Sequence, residues 1–414
     1  MAVENGVKMI VNRVTLLGNK DHGKSTLIGS LLIETRSVSQ HRIDDAKKTS
    51  EKLGRHFEPG YILDSFEEER LNEMTIDTTR AQVKYKNTGF EFIDVPGHEE
   101  LMKNMLSGAS YADFALLLVS AKPEEGITGQ TKRHLFVAKM FGIDRLVVAV
   151  NKLDAVDYSR ERFEEIKRDI GSYLDKIGFK TANVSFVPVS AYNAENLVKL
   201  SDKIKWYKGK SLMDILVNAS KSRKIRTDGQ LLIQIQGLFE GNDKSIFGKV
   251  ISGKVKKGDK ITLLPLGGSA KVLDLFVSGR KAKAAGRGGV VTLDLDRGVG
   301  DDIRGFIAVN DKSACRSGDT IRAILLTTRN ISGRPSIKIN GMEVGCRKMT
   351  IDRYIDVTTG ESKKAKRIKP LNAGLVELKL DRNIATDAFE RTPEIGRFVF
   401  YTNKNFSGIG IITE

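Results

Sequence analysis

The feature that most constrains the fold of this 414-residue chain is a short glycine-containing segment near its start. Residues 18–25, GNKDHGKS, fit the pattern G-x-x-x-x-G-K-[ST]. An apolar run, Arg13–Leu17, precedes them, and a helical pattern from Lys24 to about Glu34 follows. A strand, a glycine loop and a helix in this order predict a loop whose backbone N–H groups wrap phosphates at a helix N-terminus.

Alternation of strands and helices continues to about residue 219. Apolar runs with β-branched residues predict strands, and amphipathic patterns between them predict helices, which together indicate an α/β domain with a mostly parallel sheet. The further predicted strands are Phe90–Val95, Phe114–Ser120, Leu146–Asn151 and Phe186–Ser190, and the predicted helices include Gln130–Met140, Arg160–Ile177 and Leu212–Ala219.

The pattern changes after the polar segment Ser220–Gly229, which we interpret as a linker. Short strands separated by glycine-rich turns then follow, as is typical of small antiparallel barrels. The strands predicted for a first barrel are Leu231–Gln236, Lys249–Ile251, Lys260–Leu264, Val290–Leu295 and Phe306–Val309; those of a second are Thr320–Leu326, Gly374–Leu380 and Arg397–Tyr401. The predicted domains are therefore 1–220, 221–322 and 323–414.

Several side chains are suited to hold the phosphates of a nucleotide and Mg²⁺. Lys24 would neutralise the β- and γ-phosphate oxygens, and the Ser25 hydroxyl would ligate Mg²⁺. Asp94, at the end of a predicted strand, would hold the metal through water, and the Gly97 N–H would sense the γ-phosphate. Thr75 would reach Mg²⁺ and the γ-phosphate only with GTP bound, which would make its loop an order–disorder switch. His98 would orient the attacking water.

A second group of residues selects the base. Asp154, in Asn151-Lys152-Leu153-Asp154, can accept N–H groups from guanine N1 and N2, whereas adenine offers no such donor edge. Asn151 can read guanine N7 and O6, Lys152 can lie over the base, and a backbone N–H at Ser190-Ala191 can donate to O6. Four elements in order, each at the carboxyl end of a predicted strand, predict a guanine-nucleotide site and exclude an ordinary ATPase. The nucleotide-binding residues predicted in full are Gly18, Asn19, Lys20, Asp21, His22, Gly23, Lys24, Ser25, Thr26, Asp94, Gly97, Asn151, Lys152, Asp154, Ser190, Ala191 and Tyr192.

Composition excludes other classes of protein. No run of about 18 apolar residues predicts a membrane span, and the N-terminus lacks the apolar core of a signal peptide. Two cysteines, Cys315 and Cys346, are too few for a disulfide framework or a cysteine-based zinc site. A reducing cytoplasm and a protein that is monomeric on its own fit these features.

The net charge of +16 is concentrated in the second half of the chain. Residues 221–414 hold 36 Lys and Arg against 21 Asp and Glu, a net +15, so residues 1–220 are nearly neutral. The densest run of cations is Lys363, Lys364, Lys366, Arg367 and Lys369. Such a balance fits either a well-solvated surface or an anionic partner, most simply RNA, docking on the barrels.

The segments GNKDHGKSTLIGSLL, MTID, DVPGHEELMKNMLSGAS, VVAVNKLD and VPVSA resemble the motifs of the translation-factor GTPases, specifically the elongation factor Tu / elongation factor 1-alpha group. The resemblance extends to the end of the chain, at EIGRFVFYTNKNFSGIGII. It implies an α/β P-loop GTPase domain followed by two antiparallel β-barrels, and a switch driven by GTP hydrolysis. By matching position, His98, Lys24 and Thr75 would have catalytic roles. Ser25, Thr75 and Asp94 would hold the Mg²⁺, and Asp21 matches the aspartate of the family's P-loop.

Two branches of this group fit the motifs and imply different partners. A translation factor would work with GTP or GDP, tRNA or the ribosome, and an exchange, release or rescue factor. The alternative is the regulatory GTPase subunit of an ATP sulfurylase, which binds an adenylyltransferase chain and which VDYSRERFEEIKRD and IKINGMEV resemble. His22 and the basic second half favour the first branch. An independent nucleotide-sensing adaptor is a third reading.

Two departures from the group affect the expected chemistry. Lys20 stands where the translation factors carry a small apolar residue, and Asn72-Glu73-Met74 replaces R-G-I before the switch threonine. In the family, apolar side chains from these loops gate the catalytic histidine. A charged Lys20 and the loss of a glycine at Glu73 therefore predict altered hydrolysis or altered triggering. These changes favour a divergent paralogue.

Overall fold

The structure is a computed structural model that describes residues 11–52, 54, 56–63, 79–94, 114–221, 229–240 and 242–414, together with the backbone of a short hairpin, Val3–Glu4 and Val7–Lys8. For Asp94 it describes the backbone alone. The chain divides into two compact units. One contains Met1–Arg223 and Val357–Gly360, and the other contains Lys224–Asp356 and Glu361–Glu414.

The first unit contains a six-stranded sheet that is parallel except at one edge. The strand order is β2-β3-β1-β4-β5-β6, and only the β2–β3 pair is antiparallel. The strands are β1 (Val11–Leu17), β2 (Thr79–Tyr85), β3 (Thr88–Asp94), β4 (Phe114–Ser120), β5 (Leu146–Asn151) and β6 (Val184–Pro188). Every side chain of β4 and β5 is buried, as expected of central strands covered on both faces.

Helices connect these strands and cover the sheet. They are α1 (Lys24–Glu34), α2 (Gln40–Lys52), α3 (Gly129–Met140), α4 (Arg160–Lys176) and α5 (Leu212–Lys221). Helix α4 buries Phe163, Ile166 and Ile170 at helical spacing, and Ser159 caps it by accepting from the Arg162 N–H. Thr128 and Thr131 form a capping box at the start of α3.

A closed six-stranded antiparallel barrel opens the second unit. Its strands follow the order β9-β12-β7-β8-β11-β10, and β10 pairs with β9 to close it. They are β7 (Leu232–Phe239), β8 (Asn242–Ser252), β9 (Lys260–Leu264), β10 (Gly268–Val277), β11 (Val290–Leu295) and β12 (Ile307–Val309). Lys254–Lys256 and Ala284–Gly286 form a separate two-stranded ribbon, and Arg280–Lys281 extends the sheet beyond β10.

The second barrel is also closed and antiparallel. Its order is β14-β17-β18-β13-β16-β15, with β15 pairing back to β14 and the short strand Ser362–Lys363 added to β15. The strands are β13 (Arg316–Thr327), β14 (Pro335–Ile339), β15 (Met342–Ile355), β16 (Ala373–Thr386), β17 (Arg397–Thr402) and β18 (Asn405–Ile412). Apolar side chains of both barrels contribute to one buried cluster.

The predicted class of fold, an α/β domain followed by two antiparallel barrels, is confirmed. Strands β4, β5, β9 and β11 and the first helix begin and end where the sequence predicted. Four barrel strands, β10, β14, β15 and β18, were not predicted. The expected boundary at 322–323 lies inside β13, which begins at Arg316. Most of the expected linker, residues 222–228, lies outside the described residues.

Candidate functional site: a guanine-nucleotide site at the edge of the sheet

Four predicted motifs meet at one edge of the parallel sheet. Gly18 follows β1, Asp94 is the last residue of β3, Asn151 is the last residue of β5, and Ser190 lies just beyond β6. Because these strands are parallel, their carboxyl ends lie on the same side of the sheet, which is where open α/β sheets bind ligands. The motifs that the sequence separates by more than a hundred residues therefore form one site.

The phosphate loop has the backbone that the glycine pattern predicts. Gly18 and Gly23 have φ angles of +142° and +86°. A Cβ on Gly18 would lie 2.7 Å from the Leu118 carbonyl oxygen, and one on Gly23 would lie 2.5 Å from Asn151 Nδ2. Backbone angles and space therefore both require glycine at the two ends of the loop.

The Lys24 ammonium lies inside this loop. Its Nζ donates to the carbonyl oxygens of Gly18, at 3.3 Å, and Asn19, at 3.0 Å. Lys24 is also the first residue of α1, so its charge lies beside the free N–H groups of the helix N-terminus. The cation is thus held inside the loop by two carbonyl oxygens, beside these N–H groups.

Buried and half-buried polar groups from distant segments hold the loop in place, and sequence reasoning missed them. The Gly18 N–H donates to His134 Nδ1 at 3.3 Å, and Asn19 Nδ2 donates to Thr128 Oγ1 at 2.6 Å. His134 and Thr128 are more than a hundred residues away from these partners in the sequence, so no local signal could reveal the contacts.

His22 is a buried part of the same loop. It is 1% exposed, and its Nδ1 lies 3.0 Å from the Leu118 carbonyl oxygen. Because a carbonyl can only accept, Nδ1 carries the proton in this arrangement, and within the described residues Nε2 has no hydrogen-bond partner. Burial lowers the pKa of the imidazole, so the ring is neutral at physiological pH.

Asn151 joins the phosphate side of the site to the base side. The side chain is 2% exposed, Nδ2 donates to the His22 carbonyl at 2.9 Å, and Oδ1 accepts from the Ala191 N–H at 2.8 Å. Ser30 on α1 donates to the Ala191 carbonyl at 2.6 Å. The residue predicted to read guanine N7 and O6 therefore also has a structural role that its motif does not disclose.

The base side contains Glu125, which pairs with Lys152 and, at 3.7 Å, with Lys122, and a carboxylate, Asp154, that has no partner among the described residues. Lys152 has a left-handed backbone, with φ of +61°, and its Nζ lies 2.9 and 2.7 Å from the two carboxylate oxygens of Glu125. Burial opposes ionisation of Glu125, but hydrogen bonds from Lys152 and Ser120 outweigh it and hold the pKa of the carboxyl below its usual range. Asp154 is half-buried and accepts no hydrogen bond from any described residue.

Some of the remaining predicted site residues lie within the described part of the chain, and others lie outside it. Ser190 is fully buried, and Tyr192 beside it is 53% exposed. Ser25, Lys20 and Asp21 are exposed, and Thr26 is half-buried. Gly97, His98, Thr75 and Asn72-Glu73-Met74 lie outside the described residues, as does the Asp94 side chain.

The exposed Ser25 hydroxyl suits a Mg²⁺ ion held between protein and phosphates. It lies on the first turn of α1, next to Lys24, and no described residue hydrogen-bonds to it. A hard cation prefers oxygen ligands of this kind and usually keeps several waters and substrate phosphates. No group of three or more His, Cys, Asp or Glu side chains among the described residues could hold a metal by itself.

A strand-to-helix glycine loop after β1, together with a carboxylate just beyond the end of β5 that no described residue hydrogen-bonds, is the pattern of a P-loop GTPase. The family of the Elongation factor Tu GTP binding domain matches residues 9–221, and the GTP-eEF1A C-terminal domain-like family matches residues 327–413. The chain is 33% identical to elongation factor 1-alpha of Picrophilus torridus over 403 residues, covering 93% of each protein. It is 33% identical to that of Sulfurisphaera tokodaii over 420 residues, covering 96% of each.

The chain therefore belongs to the elongation factor Tu / elongation factor 1-alpha family of translation GTPases. It is a GTP-binding and GTP-hydrolysing switch associated with translation, as the sequence predicted. The alternative, a subunit of an ATP sulfurylase, is not favoured by these relatives. None of the described helices is long and apolar enough to cross a membrane.

Proposed function

We propose that GTP binds along the carboxyl edge of the sheet with its phosphates in the loop of residues 18–26. On binding, the Lys24 ammonium would exchange the carbonyl oxygens of Gly18 and Asn19 for β- and γ-phosphate oxygens. The loop and the N-terminus of α1 would add backbone N–H donors, which favour charge developing on the leaving phosphate. In the same scheme His98 would orient the attacking water, and Thr75 would contact the γ-phosphate.

The base would be read at the other end of the site. Asp154 would accept the N1 and N2 hydrogens of guanine, and its lack of a protein partner among the described residues supports this role. Lys152, held by Glu125, would pack its aliphatic stem on the base. A backbone N–H at Ser190-Ala191 would donate to guanine O6; because these N–H groups donate to the Glu195 carbonyl and to Asn151 Oδ1, one of those hydrogen bonds would be exchanged on binding.

Mg²⁺ would be held by Ser25, with Thr75 and Asp94 completing the protein ligands. When bound, it would neutralise charge on the β- and γ-phosphates. The exposed hydroxyl of Ser25, which has no hydrogen-bond partner within the described ranges, supports this assignment.

We further propose that each barrel is a domain, with boundaries near residue 220 and between Val309 and Arg316, and that the barrels bind tRNA or the ribosome in the GTP state, in the cytoplasm. The observation that carries this proposal is the charge of the second half, 36 Lys and Arg against 21 Asp and Glu. A nearly neutral GTPase half beside barrels of net +15 fits a switch whose output is contact with RNA.

Co-sedimentation with ribosomes, and gel-shift experiments with unfractionated tRNA, test this proposal. With a non-hydrolysable GTP analogue we expect salt-sensitive binding that is at least about tenfold tighter than with GDP, a difference of about 1.4 kcal/mol. Equal binding in the two nucleotide states would contradict a switch that acts through RNA. Nucleotide-dependent co-purification with an adenylyltransferase chain, without RNA, would support the sulfurylase role instead.

A further inference from the structure

Glu125, a carboxylate that belongs to none of the nucleotide motifs, lies in the turn between β4 and α3. Its two oxygens accept from Lys152 Nζ at 2.9 and 2.7 Å, and Lys122 Nζ lies 3.7 Å from one of them. The side chain of Glu125 is 21% exposed, and that of Lys152 is 25% exposed. Because water covers little of this ion pair, salt screens its attraction less than that of a surface pair.

The turn that carries Glu125 is fixed by its own hydrogen bonds. The N–H groups of Glu125 and Gly126 both donate to the Lys122 carbonyl, at 3.2 and 3.1 Å. From α4, Arg162 Nε donates to the Ala121 carbonyl at 2.9 Å. The backbone of Glu125 therefore has a defined place in the protein without a ligand, and its carboxylate is a fixed partner for the ammonium of Lys152.

Lys152 has a side chain that needs such a partner in order to be fixed. A lysine side chain is a flexible stem that loses much rotamer freedom when it is held in one position. The Lys152 backbone has φ of +61° and lies between Asn151 and Leu153, which are both buried. The neighbouring residues thus fix the backbone, and the ion pair with Glu125 fixes the far end of the side chain.

The partner of Lys152 differs in kind from the partners of Lys24. Lys24 contacts two neutral carbonyl oxygens, and in the proposed complex phosphate oxygens replace them. A charged acceptor forms stronger hydrogen bonds than a neutral one, and guanine carries no anionic group that would compete with Glu125 for the ammonium. We therefore expect the ion pair between Glu125 and Lys152 to persist when a guanine nucleotide binds.

We propose that Glu125 is a positioning residue for guanine nucleotides, which orders the Lys152 side chain before the nucleotide binds. A long side chain that is ordered only at the moment of binding subtracts from affinity, whereas one ordered beforehand does not. Glu125 touches no part of the nucleotide in this arrangement, so its effect passes through Lys152. The inference rests on the proposed function, and it identifies a determinant of nucleotide affinity that lies outside the nucleotide motifs.

Loss of the carboxylate would also leave two ammonium groups without the acceptor that they share. Lys122 and Lys152 both contact Glu125, at 3.7 and 2.7 Å. Without the negative charge between them, their repulsion would favour positions of Lys152 away from the base. The order of Lys152 therefore depends on the charge of Glu125, and not only on its hydrogen-bonding oxygens.

The variant Glu125→Gln tests the assignment, because it keeps the size of the side chain and removes its charge. Asp214→Asn is the matched control, since it removes a carboxylate from another lysine ion pair of the same unit, with Lys86 at 2.6 Å. Lys122→Gln is a second control, which leaves the contact between Glu125 and Lys152 in place. Affinity for GDP with Mg²⁺ is measured by equilibrium titration with fluorescent GDP. Urea denaturation of the nucleotide-free proteins confirms that each variant is folded.

We expect Glu125→Gln to weaken GDP binding about three- to tenfold, the range expected when binding must order one long side chain. Asp214→Asn and Lys122→Gln should each change the affinity by less than about twofold. The same Glu125→Gln substitution is then made in a Lys152→Met background, where an unbranched stem remains but carries no charge. There it should weaken GDP binding by less than about twofold, since no ammonium is left for Glu125 to hold.

Two results would overturn the inference. The first is a GDP affinity of Glu125→Gln equal to that of the unmodified protein. The second is equal weakening in the Lys152 and Lys152→Met backgrounds, which would show that Glu125 acts other than through Lys152. A separate variant, Asp154→Asn, tests the proposed function: if it retains full affinity for GDP, the base is not read at this end of the site. Loss of affinity in Asp154→Asn without loss in Glu125→Gln would reject the positioning role alone.

Discussion

The nucleotide site and residues 363–369 of the second barrel differ in whether their cations have partners within the protein. In the nucleotide site, Lys24 contacts two carbonyl oxygens and Lys152 contacts Glu125, so that these two cations have protein partners. In residues 363–369 of the second barrel, the five cations Lys363, Lys364, Lys366, Arg367 and Lys369 are exposed and have no carboxylate partner among the described residues. Internal partners hold a site in shape for a small ligand, whereas exposed cations that are solvated by water and ions stay available to a partner that brings its own counter-charge.

The largest expected effect is a change of base specificity at Asp154, in the nucleotide site. Asp154→Asn should weaken GDP binding by about 10²–10⁴-fold, because two hydrogen bonds to a charged acceptor contribute about 1.5–3 kcal/mol each. Equilibrium titration with fluorescent GDP measures the loss. Xanthosine diphosphate is the control, since its O2 can accept from the new amide. If GDP affinity is retained, Asp154 does not read the base.

A second prediction concerns the connection between the two ends of the site. Asn151→Ala removes the hydrogen bonds to the His22 carbonyl and the Ala191 N–H and leaves both groups buried without them. We expect the free energy of unfolding of the first unit to fall by about 2–4 kcal/mol, measured by urea denaturation of the nucleotide-free protein. Ser30→Ala, which removes only one hydrogen bond to the same loop, is the matched control and should cost about 1 kcal/mol. Equal losses would mean that Asn151 does not join the two loops.

A third prediction follows from the buried imidazole. Because burial lowers the pKa of His22, the unfolded chain binds a proton at this residue at a pH where the native protein does not. The native state should therefore lose stability as pH falls below about 6.5, the ordinary pKa of histidine. His22→Asn keeps a donor for the Leu118 carbonyl and should flatten the pH dependence of the free energy of unfolding between about pH 7 and 5. The same slope in both proteins would assign the effect to other groups.

The smallest expected effect concerns Lys20. Its exposed side chain follows Asn19, whose carbonyl contacts Lys24, so in the proposed complex its charge would lie near the phosphates. Lys20→Val should lower single-turnover hydrolysis about fivefold, since one charge at about 4 Å in water is worth about 1 kcal/mol. Lys20→Arg keeps the charge and should retain the rate. Equal rates for the wild-type protein and the Lys20→Val variant under all activators would show that the departure at this position has no catalytic consequence.

Local features of the site could be predicted from the sequence, and contacts between distant segments could not. The spacing of Gly18, Gly23 and Lys24 specifies a loop whose geometry depends on neighbouring residues, and the structure has that loop. Glu125 has no local pattern that marks it as the partner of Lys152, because the two lie on different loops. Contacts of this kind become visible only once the parallel sheet places its loops together.

The barrels show a second limit. Strand β15 was missed because register shifts between Cys346 and Lys348 and between Ile351 and Arg353 interrupt the alternation of buried and exposed side chains. Strand β10 has a similar shift between Val272 and Asp274. A period-2 pattern broken in this way no longer indicates a strand, although each half still pairs.

The salt dependence of the two binding reactions in one preparation tests the central claim most directly. The affinity for GDP with Mg²⁺ and the affinity for unfractionated tRNA with a bound GTP analogue are measured at about 50 and 200 mM KCl. We predict that GDP binding changes by less than about tenfold, and that tRNA binding weakens by about 10²-fold or more, as expected for about five phosphate contacts. A tRNA affinity as insensitive to salt as that for GDP would contradict the division between a nucleotide site with internal partners and an RNA surface of unpaired charge.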